Sequence, residues 1–331
     1  MKKSNFLILG SNSFSGSSFI DFLLSKKYRV VGVSRSSEIN NVYLPYKWRS
    51  KSNDFKFFKI DINKNIEAIL KLMKKYEPSY VINFAAQGMV AESWKSPEDW
   101  FKTNLLSQVK LHNQIRKFPF IKKYIHFTTP EVYGSTNGWV KENFNFNPST
   151  PYAVSRAACD LHLKSFFDAY NFPVIFTRAS NVYGPGQQLY RIIPRTLLYS
   201  KKNKKLKLHG GGKSVRSFIH INDVSRALLK IIKEGRIGNS YHISTNEIIS
   251  IKGLVKKICN LMKINFNELV NIENDRLGKD QAYLLDSSKL RKNMQWKDEI
   301  SLDQGLEDTL NWFNNNYEII KKLNHEYKHK K

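Results

Sequence analysis

Tyr152 and Arg156 stand four positions apart in the run Pro151-Tyr152-Ala153-Val154-Ser155-Arg156. If that run opens a helix, positions i and i+4 share a face and the guanidinium lies beside the phenol. A neighbouring cation favours phenolate and lowers a pKa that is ordinarily ~10. Such a tyrosine can take the proton of an alcohol while hydride leaves the same carbon. Arginine keeps its charge permanently, so it supports the phenolate without relaying a proton.

Hydride needs an acceptor, and the start of the chain offers its seat. Leu7-Ile8-Leu9-Gly10 runs into Ser11-Asn12-Ser13-Phe14-Ser15-Gly16 and then an amphipathic stretch. A strand, a turn of small residues and a helix start present free amides and a helix dipole to a pyrophosphate. Gly10 and Gly16 keep the outer spacing of a dinucleotide loop; Ser13 holds the middle glycine position, followed by Phe14 and Ser15. The end of the second strand selects the cofactor. An acidic residue there binds the free ribose hydroxyls of NAD, and a basic one takes the 2′-phosphate of NADP. Arg35 and Ser36 precede the first carboxylate, Glu38, which favours NADP with NAD as the alternative. Asp61 and Ile62, after the third strand, are placed to flank the adenine.

The elements that must position these groups follow an α/β rhythm. Strands are predicted at Phe6–Gly10, Arg29–Ser34, Phe55–Ile60, Tyr80–Ala86, Tyr124–Thr129 and Val174–Ala179, with helices at Ser17–Lys26, Ile66–Tyr76, Pro97–Lys117 and Tyr152–Tyr170. Strands apolar throughout, alternating with helices, make a doubly wound parallel sheet covered on both faces. After residue 180 the rhythm breaks at Gly184-Pro185-Gly186 and His209-Gly210-Gly211-Gly212, and shorter helices follow at Ile251–Met262 and Leu302–Asn314. The expected division is a dinucleotide-binding domain over 1–180 with a returning segment near 217–245. A smaller C-terminal substrate-binding lobe takes 181–216 and 246–320, and a frayed charged tail takes 321–331. Ligands of open α/β sheets sit at the carboxyl edge of the strands.

Composition narrows the class. The 331 residues carry 54 Lys and Arg against 28 Asp and Glu, a net charge of +26. A dedicated nucleic-acid binder concentrates such charge in a stripe or tail. Here Lys is scattered, apart from small clusters at 201–207 and 328–331, and travels with abundant Asn, Ile, Phe and Tyr. The reading is a solvated basic surface that steers an anionic substrate, with no nucleic acid as partner. No apolar run approaches the ~20 residues of a membrane helix, so no membrane partner is expected. Two cysteines, Cys159 and Cys259, make no disulfide framework and stand near no metal-ligand spacing. A cytoplasmic enzyme without a metal is the expectation.

Beyond the glycine loop and the Tyr–Arg pair lie four further motifs, in order: Asn83-Phe84-Ala85-Ala86, Thr128-Thr129-Pro130-Glu131-Val132-Tyr133-Gly134, Asn181-Val182-Tyr183-Gly184-Pro185-Gly186, and the stretch from His209 to Val224. With Asp275-Arg276-Leu277-Gly278-Lys279-Asp280 they span nearly the whole chain. In this order and spacing the chain resembles the extended short-chain dehydrogenase/reductases of the NAD(P)-dependent epimerase/dehydratase type. Within them it is most similar to the nucleotide-sugar 4,6-dehydratases of the dTDP-glucose kind.

The resemblance implies roles. Ala85 and Ala86 would border the dinucleotide with Tyr152 and Arg156. Thr129 would bond the sugar O4 beside Tyr152, and Glu131 would remove the C5 proton. Asn181 and Arg216 would hold the diphosphate, Arg276 would approach the nucleoside, and Gln87, Gln187 and Arg191 would line the sugar pocket. Arg178 joins the phosphate cations on its chemistry alone. Asn104 would order the helix behind the tyrosine, and a homodimer would pack through the helices at 98–118 and 152–170. The implied reaction is a 4,6-dehydration: transient oxidation at C4, deprotonation at C5, loss of water from C6 and return of the hydride to C6. Two residues depart from the pattern. Arg156 stands where the family has lysine, and Pro130 stands where the dTDP-glucose enzymes have an aspartate that protonates the departing hydroxyl. A nucleotide-sugar epimerase or C4 dehydrogenase on the same fold is the alternative, a C6 decarboxylase or a non-catalytic binding protein a more distant one.

Overall fold

The structure, a computed structural model, describes residues 5–49, 52–275 and 281–330. Seven parallel strands form the central sheet: β1 (Asn5–Leu9), β2 (Arg29–Ser34), β3 (Phe55–Lys59), β4 (Tyr80–Asn83), β5 (Lys123–Thr128), β6 (Val174–Ala179) and β7 (Ser240–Ile243). Their order is β7-β6-β5-β4-β1-β2-β3. The chain winds outward from β1 through β2 to β3, then crosses back to place β4 on the other side of β1. That reversal opens a crevice at the carboxyl ends of β1 and β4, where doubly wound sheets bind their ligands. Phe6 to Leu9 and Val174 to Ala179 are buried along their length, as strands covered on both faces must be.

Helices cover both faces. α1 (Phe14–Ser25) and α2 (Ile66–Tyr76) follow β1 and β3. The stretch predicted as one helix over 97–117 is three segments: α3 (Pro97–Phe101), a π-helical turn at Lys102–Leu106, and α4 (Ser107–Ile115). α5 (Pro151–Tyr170) carries Thr150 as its N-cap, whose side chain accepts from the Ala153 amide, and Pro151 in its first turn. This is how a helix beginning at the tyrosine is written in sequence. After α6 (Ile192–Lys201), the chain returns as α7 (Ile221–Glu234) and β7; α7 packs beside α1, and β7 pairs with β6. The segment expected to return near 217–245 contains this helix and strand, with the short strand Phe218–His220 ahead of them.

The second lobe is built on small apolar clusters around Leu197, Leu198, Leu254, Ile258, Leu306 and Phe313, and around Leu206, Leu208, Val255 and Cys259. It adds short parallel ladders, Leu206–His209 with Val270–Glu273 and Asn181–Tyr183 with Phe218–His220. The terminal segment departs from the frayed tail expected. Tyr317–Ile320 is helical, and beyond it the chain is tied down. Glu326 pairs with Arg195 at 3.0 Å, and the His329 ring stacks on Trp100 at 4.9 Å. Composition shows charge, but it does not show that aromatic and acidic partners wait on two other helices.

Behind α5 lies a buried ionic cluster. Asp160 takes a 2.6 Å bond from Arg178 and stands 3.2 Å from His126, all three wholly buried. Burial pushes the carboxyl up, but Arg178 and His126 outweigh it and hold the Asp160 pKa below its ordinary value. The Asp160→Asn variant leaves Arg178 as an unpaired buried cation, which costs about 3–5 kcal/mol. Urea unfolding should show that loss; an unchanged midpoint would mean the cluster does not stabilise the fold.

Candidate active site

Gly10 begins the site. Its φ is +82°, and a Cβ there would sit 2.7 Å from the Ala85 amide nitrogen. A Cβ on Gly16 would sit 2.4 Å from the Gly10 carbonyl. Both outer glycines are therefore required by close backbone approach, whereas the middle position is not. There Ser13 caps α1, its hydroxyl donating to Gly10 O at 2.7 Å and accepting from the Gly16 amide at 3.0 Å. The first amides of a helix have no intrahelical acceptor; those of Phe14 and Ser15 belong to the first turn of α1, and both residues line the cavity described below. This donor set suits a pyrophosphate. Asn12, missed by sequence reasoning, ties the loop to β2: its amide donates to Ser34 Oγ and its side chain to the carbonyls of Ser36 and Ser37.

At the end of β2, Arg35 donates to Gln87 Oε1 at 3.3 Å and to the Lys330 carbonyl at 3.0 Å. The Lys330 ammonium lies 2.8 Å from Ser36 Oγ. Glu38, the nearest carboxylate in sequence, is engaged by Tyr46 and Lys47. Two cations and a hydroxyl thus border the cavity at the end of β2.

The catalytic candidates converge between β5 and α5. Thr129 caps the 3-10 turn Pro130–Tyr133, and Pro130 takes its first position, where a missing amide proton costs nothing. The residue that lacks an acidic proton thus serves as the start of the turn that presents Glu131. Thr129 Oγ1 stands 3.3 Å from Glu131 Oε2, and its hydroxyl acts on the Tyr152 phenol in the sense that favours phenolate. The structure overturns the expected lowering of the Tyr152 pKa. Burial raises it first and the Glu131 charge second, and together they exceed the pull of Arg156, the Thr129 hydrogen bond and Arg191. In the cofactor-free protein the phenol is held neutral. Arg156 is itself buried and donates one guanidinium nitrogen to the Phe127 carbonyl.

One buried amide joins these parts. Asn104, on the π turn, accepts from the Gln87 amide at 2.8 Å and donates to the Gln87 carbonyl and to Ser155 Oγ. Ser155 in turn donates to the Tyr152 carbonyl. A cavity of about 900 Å³ runs from the glycine loop past Tyr152 into the second lobe. It is lined by Gly10, Ser13, Arg35, Ser36, Asp61, Ile62, Ala85, Ala86, Gln87, Thr129, Glu131, Tyr152 and Arg156, and on the lobe side by Asn181, Gln187, Arg191 and Arg216. Gly16 stands behind this wall and shapes the loop. Arg276 lies outside the described residues.

Arg178 is not in the wall. It is buried against the faces of Tyr133, Phe144 and Phe146 and neutralises Asp160. Its cation serves the core and is not available to a phosphate. Tyr283 was missed: its ring lies 4.2 Å under the Arg216 guanidinium and its hydroxyl donates to Asn181 Oδ1 at 3.0 Å. It fixes two of the expected diphosphate residues, and no periodic signal marks it in sequence.

A dinucleotide loop at the β1–β4 crevice and a Tyr-x-x-x-Arg helix against it define the short-chain dehydrogenase/reductase architecture. Residues 7–309 match the family described as GDP-mannose 4,6 dehydratase. The chain is 30% identical to a dTDP-D-glucose 4,6-dehydratase of Dictyostelium discoideum, over 96% of this chain and 83% of the relative. It superposes on the dTDP-glucose 4,6-dehydratase of Bacillus anthracis in complex with NAD with a TM-score of 0.85, at 27% identity and covering 95% and 98% of the two chains. For the dTDP-glucose 4,6-dehydratase of Streptomyces venezuelae with NAD bound the TM-score is 0.89, at 25% identity and the same coverage. The chain belongs to the GDP-mannose 4,6-dehydratase family, the nucleotide-sugar dehydratases of the short-chain dehydrogenase/reductases.

Because the Glu131 carboxylate opposes ionisation of the phenol, Glu131→Gln should lower the Tyr152 pKa in the cofactor-free protein. Tyrosinate absorbance titrated in Glu131→Gln, with and without Tyr152→Phe, isolates that one phenol. A titration unmoved or shifted upward would show that the two groups do not interact as placed.

Proposed function

We propose that the cavity holds a nicotinamide dinucleotide along the β1–β4 crevice and a nucleotide-diphosphate sugar against the second lobe, and that the enzyme is a nucleotide-sugar 4,6-dehydratase. The observation that carries this reading is the convergence of Thr129, Glu131 and Tyr152 on one stretch of the cavity wall. An oxidised dinucleotide held by the glycine loop, Arg35 and the Tyr152–Arg156 helix would supply hydride acceptance from C4 and hydride return to C6. Tyr152 removes the C4 hydroxyl proton, with Thr129 bonding the same oxygen and Arg156 stabilising the phenolate electrostatically. The C4 ketone acidifies C5–H. Glu131 takes that proton and passes it to the hydroxide leaving C6, which departs as water, since Pro130 has no proton to give. A solvent proton, delivered through Glu131, then enters C5 as hydride enters C6. A carboxylate positioned for C5 favours dehydration over C4 epimerisation, which needs no base there.

Asn181, Arg216 and Arg191 are assigned to the diphosphate and sugar, and Gln187, whose amide is tied to the Val182 carbonyl, to the shape of the sugar pocket. Arg276 is proposed for the nucleoside on the family resemblance. Arg35, Ser36 and Lys330, together with the engagement of Glu38 elsewhere, support NADP; the two related structures hold NAD. The proposed assembly is a homodimer through the helical stretches 98–118 and 152–170, which expose Leu106, Val154 and Leu161. A cytoplasmic location accords with two free cysteines. Among the described residues no helix is long and apolar enough to cross a membrane.

The test is incubation with a panel of nucleotide sugars in heavy water. Loss of one water with solvent deuterium at C5 and no net cofactor reduction is the expected result. Glu131→Gln should slow it by about 10²–10⁴-fold. Deuterium without water loss would replace the dehydratase reading with epimerisation, and stoichiometric cofactor reduction would replace it with a dehydrogenase. Arg35→Ala should weaken NADPH binding more than NADH binding; equal losses for both would assign Arg35 to the shared part of the dinucleotide.

A further inference from the structure

The C-terminal segment 324–330 crosses from one lobe to the other over the mouth of the cavity. It starts on α6 in the second lobe, where Glu326 pairs with Arg195 and accepts from the Tyr199 hydroxyl. Tyr327 then meets the Tyr190 ring edge-on at 5.4 Å and lies 3.3 Å from Gln87 Oε1 through its hydroxyl. On the dinucleotide domain, His329 stacks on Trp100 and bonds Asp99 at 2.6 Å. Lys330 ends the crossing: its carbonyl accepts from Gln87 Nε2 at 2.6 Å and from Arg35, and its ammonium reaches Ser36.

We propose that residues 324–330 form a strap that retains the dinucleotide in its crevice through successive turnovers. The proposal rests on the dinucleotide-dependent reading above. Three observations carry it. First, the strap's contacts at its far end are Arg35, Ser36 and Gln87, which border the crevice at the ends of β2 and β4, so a dinucleotide lying along the glycine loop passes beneath it. Second, Tyr327, Lys328 and Lys330 line the cavity without filling it; about 900 Å³ remains with the strap in place, a volume within the range of ligand pockets. Third, among the described residues lining the opposite end, near Leu208, Arg216 and Tyr283, none belongs to the strap. The nucleotide sugar can therefore enter and its product leave while the cofactor half stays covered. That asymmetry suits a reaction in which the hydride is returned and the dinucleotide need not exchange.

The attachments are partly exposed ion pairs, hydrogen bonds and ring contacts, each weak alone and the charged ones screened by salt. The strap can thus open for initial loading, and salt should speed opening.

The experiment compares the full chain, a chain ending at Leu323, and the full-length double variant Tyr327→Ala/His329→Ala, which keeps the segment but removes its two ring anchors. Each is loaded with NADPH or NADH, and release is followed by loss of reduced-cofactor fluorescence on adding excess oxidised dinucleotide. Release from both altered forms should be roughly tenfold faster or more, as for removal of a closing lid, with a raised Kd and unchanged thermal unfolding. Salt should accelerate release from the full chain more than from the truncated one. Release rates equal in all three forms would overturn the strap. So would tighter binding on truncation, which would mean that the segment occupies the cofactor's seat. If no form binds either dinucleotide, the functional reading falls and the strap falls with it; loading with unaltered release overturns the strap alone.

Discussion

Asn104 is the joint on which the site's geometry depends. A single buried amide fixes both backbone groups of Gln87, at the end of β4, and Ser155 on the first turn of α5. The π turn at Lys102–Leu106 places it there; an insertion of this kind in a helix is commonly retained where function needs a side chain turned inward. On one side, the β4 end abuts the phosphate loop through the close approach of Gly10 to Ala85. On the other, Ser155 holds the carbonyl of Tyr152. Cofactor seat and catalytic helix are thus registered to each other through one side chain. In the proposed enzyme a shift of this joint misplaces hydride acceptor and base together, and misplacement of about 1 Å at a reacting centre can cost 10²-fold.

The electrostatics of Tyr152 follow from the same convergence. Burial and the Glu131 carboxylate keep the phenol protonated, against Arg156, Arg191 and Thr129. An oxidised nicotinamide ring would bring a positive charge to this pocket and shift that balance toward phenolate. In the proposed mechanism the phenol is thus neutral without the dinucleotide and biased toward ionisation with it bound. Arg156 gives a fixed charge in this arrangement where a lysine could also exchange a proton. Asp160 and Arg178 neutralise each other one turn behind, so Arg178 does not compete for the substrate's phosphates.

Much of this was legible because the chemistry needs particular residue types at particular spacings. Gly10 and Gly16 follow from close backbone approach, Thr150-Pro151 from helix capping, and Thr129, Glu131 and Tyr152 from motif order. Helix α7 and strand β7 were only marked as a returning segment, because their partners, α1 and β6, are distant in sequence. Three matters were illegible for a common reason. The direction of the Tyr152 pKa depends on burial and on a carboxylate twenty-one residues upstream. The role of Arg178 depends on which way its strand faces. Tyr283 carries no pattern until it is seen beneath Arg216.

The sequence by itself determined the parallel sheet, the tight glycine turn after β1 and the start of α5 at Tyr152, since strand hydrophobicity, glycine conformational demands and helix capping are local properties. Only the tertiary structure decided the protonation balance at Tyr152, the diversion of Arg178 into the core and the course of the last residues across the cavity. Each of those is the sum of contacts between segments far apart in the chain. A charged run such as Glu326–Lys330 reads as solvated until Arg195, Tyr190, Trp100 and Arg35 are brought within reach of it.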